Sequence, residues 1–263
     1  MKIKRPEPDS YESFYRQFDS PQMRQFRREA YGEDIGQHSW VSAEELRADI
    51  PRLGLSPASK LLDLGCGPCG PLTFIVANVG CHGTGLELSP AALQVGRKRA
   101  ASLGIDALLA VQEGDLNEPL PFEPRSFDAV MSLDVVLHLR DRQRFFLQVA
   151  KLLRPGGRFL VTDAGVVTGS ISNEEVRKRS IHGYTQFVAE GWNETLLESS
   201  GLRLIETENR TESVLRNASG RLAAMRAQHA EFEKQQDYLQ NIIELSHRGA
   251  VSRFMYLAEA QPP

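Results

Sequence analysis

Short apolar runs alternate with longer amphipathic stretches through the middle of the chain. This alternation predicts an α/β fold in which a mostly parallel sheet has helices on both faces. The apolar runs predict strands over 60–64, 83–87, 107–111, 129–133 and 159–162, and the stretches between them predict helices over 91–103 and 143–153. Farther along, the pattern predicts helices over 172–179 and 192–200, a sixth strand over 202–207 and a last strand over 253–258.

The flanking regions are more polar and mainly helical in pattern. Residues 1–51 are dense in aromatic side chains, which predicts an N-terminal helical cap at the mouth of a main domain, 52–263. Helical insertions are expected in this domain at about 166–190 and 211–248. In the second insertion, apolar residues at helical spacing predict a helix that packs on the sheet or the cap. These residues are Val214, Ala218, Leu222, Met225 and Phe232.

A glycine-rich turn follows the first predicted strand. Residues 61–70 read LLDLGCGPCG, which places Gly65, Gly67 and Gly70 at GxGxxG spacing. Glycine lets a backbone turn tightly and approach a ligand closely, so the segment predicts a nucleotide-binding turn between a strand and a helix. Glu87 ends the second strand about 20 residues later, where an acid can bind ribose hydroxyls.

Three ligand classes compete for this turn. A dinucleotide would place its pyrophosphate at the helix N-terminus, whereas Cys66-Gly-Pro-Cys69 spells the CxxC of thioredoxin-type redox sites. The cysteines occupy variable positions of the glycine turn, which disfavours the redox class. The third class is indicated by Asp63, because Asp-Leu-Gly-Cys-Gly resembles the first motif of the class I S-adenosylmethionine-dependent methyltransferases.

Three later segments extend the resemblance in the order of that family: 114–116, 126–134 and 152–163. The resemblance implies a Rossmann-like class I methyltransferase fold with a mostly parallel seven-stranded sheet. It also implies an N-terminal helical cap and a helical insertion before the last strand. The implied cofactor is S-adenosyl-L-methionine, with S-adenosyl-L-homocysteine as product.

The resemblance also implies roles for individual residues at the cofactor site. Glu87 would bind both ribose hydroxyls, Asp115 the adenine amino group, and Asp63 the methionine end. The predicted cofactor set is Asp63, Gly65, Cys66, Gly67, Glu87, Leu88, Asp115, Leu116, Leu133 and Gln37.

The predicted acceptor site lies beyond the fourth strand. Asp134 and His138 are four residues apart, so both would face one direction if the chain turned helical there. Residues 133–138 and 31–40 resemble segments of phosphoethanolamine and sarcosine/dimethylglycine methyltransferases. In those enzymes the acid binds the substrate amine, the histidine lies near the acceptor, and the upstream segment covers the cofactor. The predicted catalytic residues are Asp134, His138 and His38, and the predicted substrate-binding residues are Trp40, Asp163 and Tyr184.

The chain departs from the phosphobase enzymes where those enzymes bind phosphate. Ala164, rather than a tyrosine, follows Asp163, and Gly183-Tyr184 stands where an arginine-tyrosine pair is expected. A phosphate would lack its bidentate partner, so the sequence favours a small amine, amino acid or other metabolite. N-methylation is slightly favoured over C- or O-methylation. Other classes remain open: an NAD-binding oxidoreductase, against which Asp63 argues, and a non-catalytic regulator that binds the cofactor.

The composition of the chain limits the classes of partner that we expect it to bind. With 41% hydrophobic and 25% charged residues and a net charge of −3, the chain resembles an ordinary globular protein without a basic nucleic-acid-binding face. No apolar stretch approaches the roughly 18 residues of a membrane helix, and no secretory signal is evident. Three cysteines give no disulfide framework. We therefore expect a cytoplasmic enzyme that acts on a small-molecule acceptor, without a metal, membrane or nucleic-acid partner. The sequence leaves the oligomeric state open.

Overall fold

The computed structural model describes residues 12, 14–180, 184–227 and 233–261, and a twisted sheet runs through its centre. The strands are β1 (Lys60–Leu64), β2 (His82–Glu87), β3 (Leu109–Glu113), β4 (Phe127–Leu133), β5 (Leu153–Val167), β6 (Val188–Ala189), β7 (Leu202–Asn209) and β8 (Val251–Ala260). The helices are α1 (Pro21–Tyr31), α2 (Ala43–Leu53), α3 (Gly70–Val79), α4 (Pro90–Ser102), α5 (Arg142–Leu152), α6 (Asn173–Arg179), α7 (Trp192–Ser199), α8 (Thr211–Ala227) and α9 (Glu233–His247).

The strand order is β3-β2-β1-β4-β5-β8-β7, and the two-residue β6 pairs with β5 away from this path. The first five strands run parallel, whereas β8 is antiparallel to both β5 and β7. The predicted mostly parallel, seven-stranded α/β sheet is therefore confirmed. β3 begins later than predicted because Asp106–Leu108 form a 3-10 turn before it.

Successive residues of the central strands enter two apolar clusters, one on each face of the sheet. In β1, Leu61 packs with Ile75 and Met131, whereas Leu62 packs with Phe146 and other residues of the opposite cluster. This alternation follows from the two-residue period of a strand and explains why both faces carry helices.

The N-terminal helices and the second insertion pack together above the carboxyl edge of the sheet. The α1 and α8 backbones approach closely, because a Cβ on Gly220 would lie 2.2 Å from the carbonyl oxygen of Ala30. The predicted α8 stripe is buried beside Trp40, except that Phe232 lies outside the described residues. Among the described helices, none is both long and apolar enough to cross a bilayer.

Candidate active site

The turn after β1 has the backbone geometry that its glycines predict. Gly65 and Gly67 have positive φ angles of 80° and 52°, and a Cβ on Gly65 would lie 2.7 Å from the Val135 side chain. The N–H groups of Gly65 and Cys66 both donate to the carbonyl oxygen of Leu86, at 2.8 and 3.2 Å. These bonds fix the turn to β2 at the carboxyl edge, where open parallel sheets bind their ligands.

Two carboxylates flank this turn, and neither has a cationic partner in the part of the chain that the structure describes. Asp63 is 2% exposed, and its side chain makes no hydrogen bond or ion pair with any residue that the structure describes. Burial raises its pKa well above the usual value, and the charge of Glu87 raises it further. Glu87 accepts the N–H groups of Gly67 and Ser89, both at 3.0 Å, yet burial raises its pKa too. Unpaired buried anions are costly, so this turn fits a ligand that brings positive charge and hydrogen-bond donors.

The other predicted cofactor residues of the main domain lie at the same edge, beyond β2, β3 and β4. Leu88 is 55% exposed, whereas Leu116 and Leu133 are buried. Asp115 accepts the backbone N–H of Asn117 at 2.9 Å and its side-chain amide at 3.0 Å. These residues are close together because the carboxyl ends of parallel strands meet at one edge.

The N-terminal segment lies directly over the glycine turn. A Cβ on Gly70 would be 2.2 Å from the carbonyl oxygen of Gly36, and a Cβ on Gly67 would be 3.4 Å from the Tyr15 hydroxyl. That hydroxyl is also 3.0 Å from Nδ1 of His38. The cap therefore meets the turn through backbone and aromatic groups.

Two predicted residues of this segment have local partners. The Gln37 side chain accepts the N–H of Ile35 and donates to the carbonyl oxygen of Glu33, each at 2.9 Å. The His38 ring packs against Phe14, with 4.7 Å between ring centroids. Gln37 thus braces the segment itself, and His38 belongs to an aromatic cluster.

Asp134 does not share a helix face with His138, so that expectation is wrong. Its φ is +59°, and only a 3-10 turn, Val136–His138, follows it. Its carboxylate accepts the N–H of Trp40 at 2.9 Å, the Thr162 hydroxyl at 2.8 Å and Nε of Arg253 at 2.8 Å. These contacts tie the end of β4 to the cap and fix the backbone of Trp40.

Arg253 is the centre of this buried charge network. It is fully buried, and Nη1 donates to both carboxylate oxygens of Glu45 and to the Ser213 hydroxyl, each at 3.0 Å. Although burial would raise the pKa of Asp134, Arg253 lowers it below the usual value. The Asp134 carboxylate therefore stays ionised and engaged with protein groups.

His138 ends the 3-10 turn after β4 and lies next to Tyr184. Its Nδ1 lies 3.0 Å from the Tyr184 carbonyl oxygen, and a carbonyl only accepts, so the proton of the neutral ring is on Nδ1 and Nε2 keeps its lone pair. The residue is exposed; partial desolvation by the neighbouring protein lowers the pKa of the imidazole, and the charge of Arg179 lowers it further. A neutral imidazole of this kind can accept a proton.

Asp163 is fully buried within β5, where the pairing with β8 shifts register. Its carboxylate accepts hydrogen bonds from Arg142, from Nδ2 of Asn193 at 2.8 Å and from the N–H of Gly165 at 2.8 Å. These bonds join α5 and α7 to β5. The contacts favour a structural role for Asp163 over its predicted role in substrate binding.

Five arginines are buried in the part of the chain that the structure describes. Four of them contact carboxylates: Arg27 with Asp34, Arg142 with Asp163, Arg210 with Asp49, and Arg253 with Asp134. The fifth, Arg179, is 5% exposed and has no carboxylate within ion-pair distance among the described residues. An unpaired buried charge costs far more than a paired one, so Arg179 is exceptional.

Among the described residues, Arg179 contacts neutral groups. It donates to the Tyr238 hydroxyl at 2.7 Å and to the Ala164 carbonyl oxygen at 3.2 Å, and its guanidinium lies 6.0 Å from the centre of the Trp40 ring. It is also close enough to His138 to affect its pKa. Sequence reasoning missed Arg179, whose only signal was its place at the end of a predicted helix near Tyr184.

The two cysteines of the turn are arranged differently from a reactive dithiol. Their Sγ atoms are 3.4 Å apart, and both side chains are buried. Burial raises the pKa of the Cys66 thiol, whereas a redox-active CxxC requires a lowered thiol pKa. This geometry argues against the thioredoxin-type alternative.

Residues 62–161 match the family model described as a methyltransferase domain. The matched residues contain the end of β1, the glycine turn, Glu87, Asp115 and all of β4. This segment of the chain is therefore similar to a methyltransferase domain. The methyltransferase family that this segment resembles uses S-adenosylmethionine as its cofactor.

Known methyltransferases resemble more of the chain than this domain. Phosphoethanolamine N-methyltransferase 1 of Zea mays is 27% identical over 77% of the chain and 38% of its own length. Glycine/sarcosine/dimethylglycine N-methyltransferase of Actinopolyspora halophila is 35% identical over 54% of the chain and 24% of its own length. The chain thus matches between a quarter and two fifths of these relatives. A geranyl diphosphate C-methyltransferase structure from Streptomyces coelicolor A3(2) superposes with a TM-score of 0.77 at 16% identity, over 99% of the chain and 100% of the other, which shows a shared fold.

Proposed function

We propose that the protein transfers the methyl group of S-adenosylmethionine to a small acceptor, and that an amine nitrogen is the preferred atom. The observation that carries this proposal is a pair of carboxylates beside the glycine turn, Asp63 and Glu87, which have no cationic partner among the described residues. Asp63 balances the amino group at the methionine end. Glu87 accepts hydrogen bonds from two ribose hydroxyls while Gly67 and Ser89 hold its oxygens.

The acceptor side supplies alignment and a base. When bound, S-adenosylmethionine supplies an activated methyl group for in-line displacement. His138 accepts the proton of the amine on Nε2, because Tyr184 keeps the ring proton on Nδ1. The segment around Trp40 excludes water from the reacting groups, and Asp134 acts through the N–H of Trp40 rather than on the acceptor.

Arg179 supports an acceptor that carries an anionic group. Its charge is uncompensated within the described part of the chain, and it is near both Trp40 and His138. A carboxylate or phosphate of the acceptor would supply the missing counter-ion. The names of the two N-methyltransferase relatives contain molecules of this kind, each with an amine and an acidic group.

Calorimetric titration tests the cofactor half of the proposal. We expect S-adenosylhomocysteine to bind the wild-type protein and NAD not to bind. Glu87→Gln should weaken binding about tenfold or more, because a charge-assisted hydrogen bond contributes on the order of 1.5–3 kcal/mol. The control is Glu113→Gln, since Glu113 is exposed on β3 directly beside Glu87 in the sheet register. Equal affinities of the two variants would refute the role of Glu87.

A screen with labelled S-adenosylmethionine tests the acceptor half. The panel compares amines that carry a carboxylate, amines that carry a phosphate, and neutral amines of similar size. We expect label on nitrogen and preference for an anionic amine. Label on carbon or oxygen would support the C- or O-methyltransferase alternative, and cofactor binding without transfer to any acceptor would support a regulatory protein.

A further inference from the structure

The backbone of residues 38–40 is held by polar groups from a distant insertion. Arg221 of α8 donates to the carbonyl oxygens of His38 and Ser39, at 2.8 and 2.7 Å. Asn217, one helical turn earlier, donates its side-chain amide to the carbonyl oxygen of Trp40. These residues are more than 170 positions away in the chain, so α8 acts as a clamp on the N-terminal segment.

The clamped segment touches both halves of the candidate site. Immediately before it, the carbonyl oxygen of Gly36 packs on Gly70 at the start of α3. Within the clamped segment, the N–H of Trp40 donates to Asp134 at 2.9 Å. A shift of the segment would therefore uncover the glycine turn and displace Trp40 at the same time.

Arg221 holds this backbone without an ion pair. Among the described residues it donates to Tyr31 as well as to the two carbonyl oxygens, and its guanidinium stacks 4.4 Å from the Trp40 ring centre and 5.1 Å from the Tyr31 ring centre. Cation–π contact and hydrogen bonding account for its interactions. Asn217 is 3% exposed, so its amide has no water to replace the Trp40 carbonyl.

We infer that Arg221 and Asn217 are positioning residues for the proposed methyl transfer: they keep residues 36–40 closed over the cofactor and set the rate at which cofactor and product exchange. The inference rests on the proposed function for its catalytic consequence. Packing of α8 on α1 is a separate contribution, because Ala218, Leu222 and Gly220 supply it without these polar groups.

Asn217→Asp tests the clamp without changing side-chain size, because a carboxylate cannot donate to the Trp40 carbonyl. The matched control is Asn241→Asp on α9. Asn241 is 5% exposed and donates to the Glu175 carbonyl oxygen at 3.1 Å, away from the segment. Both variants replace a buried amide that donates to a backbone carbonyl by a carboxylate. A difference between their effects therefore measures the contribution of the clamp.

The experiment measures dissociation of S-adenosylhomocysteine by stopped-flow fluorescence. A Trp192→Phe background removes the exposed second tryptophan and leaves Trp40 as reporter. We expect Asn217→Asp to speed dissociation tenfold or more and Asn241→Asp to change it less than twofold, at matched thermal stability. Arg221→Met should behave like Asn217→Asp, Arg221→Lys should restore part of the effect, and Arg216→Met, an exposed position on the same helix, should not.

Hydrogen exchange separates this inference from the proposed function. In the ligand-free protein, Asn217→Asp should accelerate exchange of the amides of residues 36–41, whereas Asn241→Asp should leave them protected. This readout needs neither the cofactor nor the acceptor. Equal exchange and equal dissociation in the two variants would overturn the clamp. Failure of the wild-type protein to bind S-adenosylhomocysteine, with faster exchange only in Asn217→Asp, would refute the proposed function and support the clamp.

Discussion

The cofactor half and the acceptor half of the site treat their carboxylates in opposite ways. Asp63 and Glu87, beside the glycine turn, have no cationic partner among the residues described, and burial raises their pKa values. The side chain of Asp134, just after β4, is also largely enclosed, with 5% of it exposed, but Arg253 lowers its pKa. The difference separates charges left for a ligand from charges that hold the protein together. By this criterion, Arg179 resembles Asp63: its charge is left for a ligand, although the charge is positive.

The largest expected effect comes from breaking a paired charge. Arg253→Met leaves Asp134 and Glu45 buried without their cation, so we expect a loss of about 3–5 kcal/mol in the free energy of unfolding. Urea denaturation measures it. Arg203→Met is the control, because Arg203 pairs with Glu259 on the exposed face of the same sheet region, where a pair contributes about 1 kcal/mol or less. Similar losses in both variants would remove the distinction between the two halves.

An unpaired charge should behave differently. Arg179→Met orphans no carboxylate in the described part of the chain, so we expect unfolding free energy to stay within about 1 kcal/mol of wild type, or to rise. The KM for an anionic acceptor should increase about tenfold, equivalent to about 1.4 kcal/mol, with unchanged affinity for S-adenosylhomocysteine. Arg177→Met, exposed on the same helix, should change neither. A large stability loss with unchanged KM would make Arg179 a structural residue.

Local and long-range interactions explain which features were predictable from sequence. The glycine turn, Asp63 and Glu87 lie within consecutive strand and turn segments, so spacing alone predicted their proximity. Asp134 and Arg253 are 119 positions apart, and no local pattern indicates that an arginine will be buried. The expected direction of the Asp134 side chain depended on a helix directly after β4. The backbone of Asp134 has a positive φ instead, so the side chain does not share a helix face with His138. Arg179 was missed for the same reason as Arg253.

The dependence of stability on pH should have opposite signs in the two halves. The folded protein raises the pKa of Asp63 above 3.8, so the wild-type chain loses stability as pH rises through and above this value. Asp63→Asn should therefore be the more stable protein at pH 7, with a gain that shrinks as the pH falls toward 3.8. Saturating S-adenosylhomocysteine should cancel the gain.

Asp134→Asn gives the opposite curve. Because its folded-state pKa is lowered below 3.8, Asp134 contributes stability above that pH and loses it as the pH falls. The variant should be less stable than wild type at pH 7, and the gap should narrow in acid. Curves of the same sign for Asp63→Asn and Asp134→Asn would contradict the comparison.

The smallest effect is expected for the two cysteines of the turn. Here the work is done by backbone groups, since the N–H groups of Gly65, Cys66 and Gly67 make the contacts to β2 and Glu87. Replacing Cys66 and Cys69 together by alanine should leave the rate of methyl transfer within about threefold of wild type. Such a change corresponds to less than about 1.4 kcal/mol of free energy. The single variant Cys81→Ala controls for loss of a buried thiol. Efficient reduction of insulin by the native protein, abolished in the double variant, would show instead that these side chains carry a function of their own.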